Sequence, residues 1–162
     1  AIGMSDALAL TLIKCRGFTS RDFARSHPHG SIGKRLLKKV SDVMITKKLP
    51  VVAEKDNLHK TIKTMSRCNF GFAVVVNTKN QICGVFSDGD LRRVLQTQTD
   101  TKNITIKNMM TRKPTLIMRD VLAAEALSLM EQKEITTIPV ISESKKFIGI
   151  ITLNNILREG IE

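Results

Sequence analysis

The stretch Gly-Val-Phe-Ser-Asp-Gly-Asp at residues 84–90 recurs 65 residues later as Gly-Ile-Ile-Thr-Leu-Asn-Asn at residues 149–155. Both stretches follow the pattern Gly-x-x-(Ser/Thr)-x-x-(Asp/Asn), in which an apolar strand leads directly into a polar helix start. Ser and Thr are favoured helix N-caps, and an Asp or Asn three residues later approximates a capping box. The pattern predicts a strand-to-helix junction that occurs twice.

The sequence around each junction is repeated as well, at offsets of 65 or 66 residues. Val-Val-Val at 74–76 corresponds to Pro-Val-Ile at 139–141, and Asp-Val-Met at 42–44 corresponds to Asn-Met-Met at 108–110. Matches in constant order indicate a duplicated unit. An apolar helical face also recurs, made of Leu58, Ile62 and Met65 in one copy and Ala123, Ala126, Leu127 and Met130 in the other.

Each copy is predicted to be a small α/β (α+β) unit with the order strand, helix, strand, strand, helix. A unit of roughly 55–60 residues buries only a modest fraction of its surface and is marginally stable alone. We therefore expect the first copy, residues 41–100, and the second copy, residues 101–162, to pack face to face. Such a pseudo-twofold pair shares one core and leaves a cleft where matching strand ends meet.

Composition limits the class of protein. The chain has 162 residues, 42% of them hydrophobic, and a formal net charge of +11. This apolar fraction supports a packed core and excludes a disordered chain. No apolar run approaches the ~18 residues that a membrane span requires. The three cysteines lack CxxC spacing, so neither a disulfide framework nor a zinc knuckle is indicated, and we expect a cytoplasmic protein with no membrane partner.

More than half of the net charge lies in residues 1–40, which hold eight Lys and Arg against two acids. Three short helices are predicted there, too few to build a core of their own. We expect this segment to be the tail of a larger domain that the chain does not contain.

The junctions also predict a ligand site. A helix N-terminus presents unpaired N–H groups to an anion, and a preceding glycine lets a ligand approach the backbone. A hydroxyl and a carboxylate or amide on the first turn suit the two hydroxyls of a ribose. The candidate nucleotide-binding residues are Gly84, Ser87, Asp90, Arg92 and Arg93 in the first copy and Gly149, Thr152, Asn155 and Arg158 in the second.

The two adjacent arginines, Arg92 and Arg93, predict that the first copy binds phosphate more strongly than the second, which has Leu157 and Arg158 at these positions. The alternative interpretation is structural: Ser87 caps the helix, and the arginines pair with Asp88 or Asp90.

The repeat and its closing motif resemble a tandem pair of cystathionine-β-synthase (CBS) domains, a Bateman module, over residues 41–162. The resemblance implies that a nucleoside-containing ligand binds in the cleft and regulates an attached enzyme. It also implies that the base lies near the first strand of each copy, here residues 43–46 and 109–111, which adds Ile45 and Thr46 to the candidate residues.

Residues 1–40 carry a second, more specific resemblance. The stretches Arg-Gly-Phe-Thr at 16–19 and Ser-His-Pro-His-Gly-Ser-Ile-Gly-Lys-Arg-Leu-Leu at 26–37 resemble the end of the sugar-isomerase (SIS) domain of arabinose-5-phosphate isomerases. In that family a SIS domain precedes a CBS pair, and Asp-Gly-Asp-Leu-Arg-Arg occurs in the closing helix, as at residues 88–93. His27 corresponds to the histidine that acts in the family's chemistry, whereas His29 stands at a glycine position of the family pattern.

This resemblance implies that the parent enzyme interconverts D-ribulose 5-phosphate and D-arabinose 5-phosphate for Kdo and lipopolysaccharide synthesis. The chain alone is then expected to be inactive, with its SIS domain and a second copy of itself as partners, in a CBS dimer and a tetrameric parent. No cofactor is required. The candidate regulatory ligands are CMP-Kdo or CMP, and alternatively AMP or ATP.

The sequence also has two alternative functional interpretations. The CBS pair is alternatively a ligand-free dimerisation scaffold. Nucleic-acid binding is suggested by the net charge of +11, but the chain has no Trp or Tyr on which bases stack and no nucleic-acid motif. A metal site at His27 and His29 is not expected, because His59 lies in a separate predicted helix and no acidic cluster is near.

Overall fold

The computed structural model describes residues 2–19, 22, 26, 30–97 and 104–161. Its strands form two sheets, with the orders β1-β2-β3-β4 and β5-β6-β7. The predicted mixed α/β fold is confirmed. In chain order the elements are α1 (Ile2–Cys15), α2 (Ser31–Leu37), α3 (Val40–Val43), β1 (Val51–Ala53), α4 (Leu58–Cys68), β2 (Phe72–Val76), β3 (Ile82–Ser87), α5 (Asp88–Thr97), α6 (Ile106–Met109), β4 (Thr111–Arg112), β5 (Ile117–Met118), α7 (Ala123–Lys133), β6 (Thr137–Ile141), β7 (Phe147–Thr152) and α8 (Leu153–Arg158).

Each copy has a parallel pair of strands joined by a helix and followed by a hairpin. β1 runs parallel to β2, and helix α4 makes the crossover that a parallel connection requires. β5, α7 and β6 repeat this arrangement. The hairpins pair Val74 with Val85 in the first copy and Pro139 with Ile150 in the second, so the offset of 65 residues also holds in three dimensions.

The predicted apolar helix faces are buried. On α4, Leu58 and Met65 are 2% and 4% exposed and Ile62 packs against the same core. On α7, all four predicted residues are buried. The spacing of three and four residues places these side chains on one side of each helix, where the sheet covers them.

The segments that begin the two copies cross over. We call residues 38–45 the first lead-in segment and residues 104–112 the second lead-in segment. Val40 and Val43 lie in the core of the second copy, whereas Ile106 lies in the core of the first. The first strands expected at residues 43–46 and 109–111 are wrong in part, because Val43 and Met109 end the one-turn helices α3 and α6. Only Ile45 and β4, which follow these helices, pair as strands. The helical turns bring apolar residues that are three positions apart towards one core.

A third core joins the copies. Phe72 and Val74 of the first sheet meet Phe147 and Ile150 of the second, and all four are buried. At one end, the Phe147 N–H donates to the Asn80 carbonyl at 3.0 Å. The copies pack on each other as expected, through this third core, but each copy also has a core of its own.

The N-terminal segment differs in burial. Helix α1 exposes Leu8, Leu10 and Leu12, which are 62%, 67% and 46% accessible, whereas α2 contacts α7. None of the helices in the described part of the chain has the length and apolar character needed to cross a membrane.

Candidate functional site

The first junction is a closed hydrogen-bond box at the start of α5. The Ser87 N–H and hydroxyl donate to the same carboxylate oxygen, Asp90 Oδ2, at 2.8 and 2.7 Å. The Asp90 N–H donates back to Ser87 Oγ at 3.2 Å. These reciprocal bonds are those of a capping box, so the structural interpretation of the pattern holds in this copy.

The second oxygen of Asp90 is also occupied. Asp90 Oδ1 accepts the Thr111 hydroxyl at 3.0 Å and a guanidinium N–H of Arg93. The residue is 5% exposed. Burial alone raises the pKa of Asp90, but the hydrogen bonds from Ser87, Thr111 and Arg93 outweigh it and hold the pKa below its ordinary value. Asp90 is therefore a buried, ionised acceptor.

The second junction has the same layout without a charge. The Thr152 hydroxyl donates to Asn155 Oδ1 at 2.9 Å, and the Asn155 N–H donates to Thr152 Oγ1 at 3.2 Å. Asn155 Nδ2 donates to the Val43 carbonyl at 3.4 Å, in the first lead-in segment. Each junction thus contacts the lead-in segment packed on its own copy, through Thr111 in the first copy and Val43 in the second.

The two motif glycines allow this crossing. A methyl group at Gly84 would lie 2.7 Å from both Met110 Sδ and the Thr111 carbonyl oxygen, and one at Gly149 would lie 2.8 Å from the Ile45 carbonyl oxygen. Both glycines are buried. Their missing side chains make room for the crossing backbone, whereas sequence reasoning assigned that room to a ligand.

Each junction opens on a cavity between the copies. The Asp90 cavity has a volume of about 510 Å³ and is lined by Phe70, Gly71, Phe72, Val85, Ser87, Asp90, Thr111, Lys113, Pro114, Thr115, Glu134, Ile135, Thr136, Thr137 and Pro139. The Asn155 cavity has a volume of about 550 Å³ and is lined by Ile45, Asn69, Phe70, Thr136, Thr137, Thr152, Leu153, Asn154, Asn155 and Arg158. Because Phe70, Thr136 and Thr137 line both, the cavities adjoin.

The charges that line the two cavities differ. Asp90 and Glu134 oppose Lys113 in the Asp90 cavity. In the Asn155 cavity Arg158 stands without a lining carboxylate, and its guanidinium makes no hydrogen bond or ion pair with the described residues. Because an uncompensated guanidinium attracts phosphate, the electrostatics favour an anion in the second cavity.

The predicted residues separate into three groups. Ser87, Asp90, Ile45, Thr152, Asn155 and Arg158 line the cavities. Gly84 and Gly149 lie under the crossing segments. Arg92 and Thr46 are exposed outside both linings, and Arg93 is bound to Asp90, so the arginines expected to bind phosphate in the first copy do not reach its cavity. His27 and His29 lie outside the described residues.

Sequence reasoning missed the residues that close the cavities from the opposite copy. Asn69 and Glu134 end α4 and α7 in the left-handed conformation, with φ of 57° and 53°. They occupy equivalent positions in the repeat, and each lines the cavity of the other copy. A non-glycine residue in this conformation is uncommon; Asn at the end of a helix is a sequence signal for it, whereas Glu is not.

Comparison with known proteins agrees with this geometry. The sequence model of the CBS domain matches residues 40–97 and 106–162. The chain is 39% identical to the arabinose 5-phosphate isomerase KdsD of Pseudomonas aeruginosa over 98% of its length, and it covers 49% of that protein. Against KdsD of Escherichia coli K12 the identity is 37%, over 98% of this chain and 48% of that protein. The chain thus spans about half the length of the curated relatives it matches.

Solved structures share the fold. The structure of CBSX2 in complex with AMP aligns with 75% of this chain and 94% of its own, at a TM-score of 0.65 and 22% identity. The CBS domain pair of MJ0100, in complex with 5′-methylthioadenosine and S-adenosyl-L-methionine, aligns over the same shares at a TM-score of 0.66 and 19% identity.

Proposed function

Because the chain belongs to the CBS domain family, we propose that it binds a nucleotide between its copies and regulates an arabinose 5-phosphate isomerase of which it is a part. The observation that carries the proposal is the pair of adjoining cavities, each with a hydroxyl and an Asp or Asn at the start of a helix. Similarity to KdsD over 98% of the chain supports the parent activity.

Ribose binding suits the Asp90 cavity. A carboxylate accepts hydrogen bonds from the two hydroxyls of a ribose, and Asp90 is held ionised for this role. Its Oδ1 now accepts the Thr111 hydroxyl, and Thr111 is exposed, so that hydroxyl can turn to water when a ribose hydroxyl replaces it. Phe70, Val85 and Pro114 supply an apolar wall for the base.

The ligand class is a nucleotide or nucleotide-sugar. Two solved structures with this fold are complexes, one with AMP and one with S-adenosyl-L-methionine and 5′-methylthioadenosine. These adenine-containing ligands support an adenine nucleotide such as AMP or ATP. CMP-Kdo or CMP is the candidate if the parent enzyme is controlled by the product of the pathway it supplies. In the parent, which adds a SIS domain, His27 acts in the isomerisation and the CBS pairs assemble copies of the enzyme.

Thermal unfolding with AMP, ATP, CMP and CMP-Kdo tests the proposal. At 100 times its Kd, a ligand that binds only the folded chain stabilises it by about 2.7 kcal/mol. The matched variants are Asp90→Asn, which keeps the shape of the site, and Arg92→Gln on the surface outside it. We expect the first variant to lose most of the shift and the second to keep it; equal loss would contradict the assignment.

One observation favours a second function, the ligand-free scaffold. Both oxygens of Asp90 already have protein donors, so the junction needs no ligand to satisfy it. If none of the four nucleotides shifts the unfolding temperature while light scattering finds a dimer, the scaffold replaces the sensor.

A further inference from the structure

The two cavities lie against different parts of the chain. The second lead-in segment, which contacts Asp90 through Thr111, follows directly on the first copy and connects it with the second. The first lead-in segment, which contacts Asn155 through Val43, connects the second copy with α2 and α1. A ligand in the Asn155 cavity is therefore next to the segment that leads out of the CBS pair.

Backbone hydrogen bonds dock the first lead-in segment on the second copy. The N–H groups of Val40 and Ser41 donate to the carbonyls of Val121 and Arg119 at 2.8 and 2.9 Å. The Ile45 N–H donates to the Ile150 carbonyl at 2.7 Å. These three amides report whether the segment is docked, because undocking exposes each of them to water.

Helix α8 joins the cavity to the same segment. Its first turn carries Asn155, its last residue, Arg158, lines the cavity, and the next residue, Glu159, is bound to Lys38. Ile161 follows and is fully buried in the core that contains Val40. Helix α8 and the residues that follow it therefore contact both the cavity and the segment.

Resting on the proposed function, we infer that the Asn155 cavity takes the phosphate of the nucleotide and that its occupation locks the first lead-in segment in the docked state. Ile45 is a wall of this cavity, and Asn155 is held by Val43, so the binding surface is complete only when the segment is docked. A ligand that binds only the docked state shifts the equilibrium towards it. The phosphate accepts hydrogen bonds from the Arg158 guanidinium and from the Nδ2 hydrogen of Asn155 that does not bond to Val43.

Hydrogen exchange of the whole chain tests this inference. AMP and CMP are the probes, with adenosine and cytidine as phosphate-free controls. At 100 times Kd, exchange of the Val40, Ser41 and Ile45 amides through undocking slows about 100-fold. The internal reference is the second lead-in segment, in which the N–H groups of Ile106 and Lys107 donate to the backbone carbonyls of Asp56 and Glu54. Exchange of these two amides should slow less.

The matched variants are Arg158→Gln and Lys113→Gln, each of which removes the lining cation of one cavity. We expect Arg158→Gln to abolish the selective slowing and Lys113→Gln to keep it. Equal slowing of both lead-in segments, or equal loss in both variants, would overturn the inference while nucleotide binding stands. Absence of any stabilisation by the nucleotides would overturn the proposed function and this inference together.

Discussion

The two strand-to-helix junctions have the same capping arrangement but differ in the charge of the residue that forms it. Asp90 is a buried carboxylate that receives donors from Ser87, Thr111 and Arg93, whereas Asn155 is neutral and exchanges fewer bonds. In the first junction Arg93 is paired with Asp90, whereas in the second Arg158 lines the cavity. The carboxylate of Asp90 therefore decides which copy keeps the arginine of its closing helix for a ligand, because the acid and the arginine lie three residues apart on one helix turn.

The largest effect is expected from the glycine under each junction. In Gly84→Ala the new methyl group meets Met110 and the Thr111 backbone, and we expect the free energy of unfolding to fall by about 3 kcal/mol. Gly149→Ala has one such contact below 3.0 Å and should cost less. Urea unfolding measures both.

The control is Gly89→Ala in α5, where the nearest atom to a new methyl group is 3.5 Å away. Alanine is the better helix former, so this variant should be neutral or more stable by up to about 1 kcal/mol. A stable Gly84→Ala would mean that the lead-in segment does not cross as described.

Removing the motif acid should destabilise the chain more than removing the motif amide. Asp90→Ala leaves the donors of Ser87 without their acceptor and Arg93 without its partner, and we expect a loss of about 2–3 kcal/mol. Asn155→Ala removes neutral bonds, one of them 3.4 Å long, and should cost about 1 kcal/mol. Equal losses in urea unfolding would show that the charge adds nothing.

Of the two junctions, only the first should respond to acid, because only the first contains a carboxylate acceptor in its capping box. Because the pKa of Asp90 is lowered on folding, its stabilisation is complete above the unfolded pKa near 4 and is lost as the pH falls through the folded-state pKa. We expect the stability advantage of the natural chain over Asp90→Asn to shrink below about pH 4. An advantage that stays constant down to pH 2 would contradict an ionised Asp90.

The smallest effect is expected at the end of α8. Glu159→Gln removes the ion pair with Lys38. The side chains of Glu159 and Lys38 are 39% and 33% exposed, so salt and water screen the pair. Exchange of the Val40 and Ser41 amides should rise by less than about 5-fold, with a smaller rise at high salt. Lys39→Gln, which breaks a more exposed pair with Asp120, is the control and should leave these amides unchanged.

Much of each copy could be predicted from the sequence because its signals are local. The strands Phe72–Val76 and Thr137–Ile141 and the buried faces of α4 and α7 follow from apolar periodicity. The pairing of Ser87 with Asp90 follows from a spacing of three residues at a helix start. The packing of the two copies on each other followed from the small size of each unit.

What the sequence by itself determined, then, is a duplicated α/β unit with a capped junction in each copy. Only the tertiary structure decided that each lead-in segment packs on the opposite copy, that Gly84 and Gly149 make room for it, and that Arg158 rather than Arg92 faces a cavity. Periodicity tells which side of an element is buried, but the two homologous cores are apolar in the same way. Choosing between them depends on chain crossing and backbone contact over tens of residues, which no local spacing encodes.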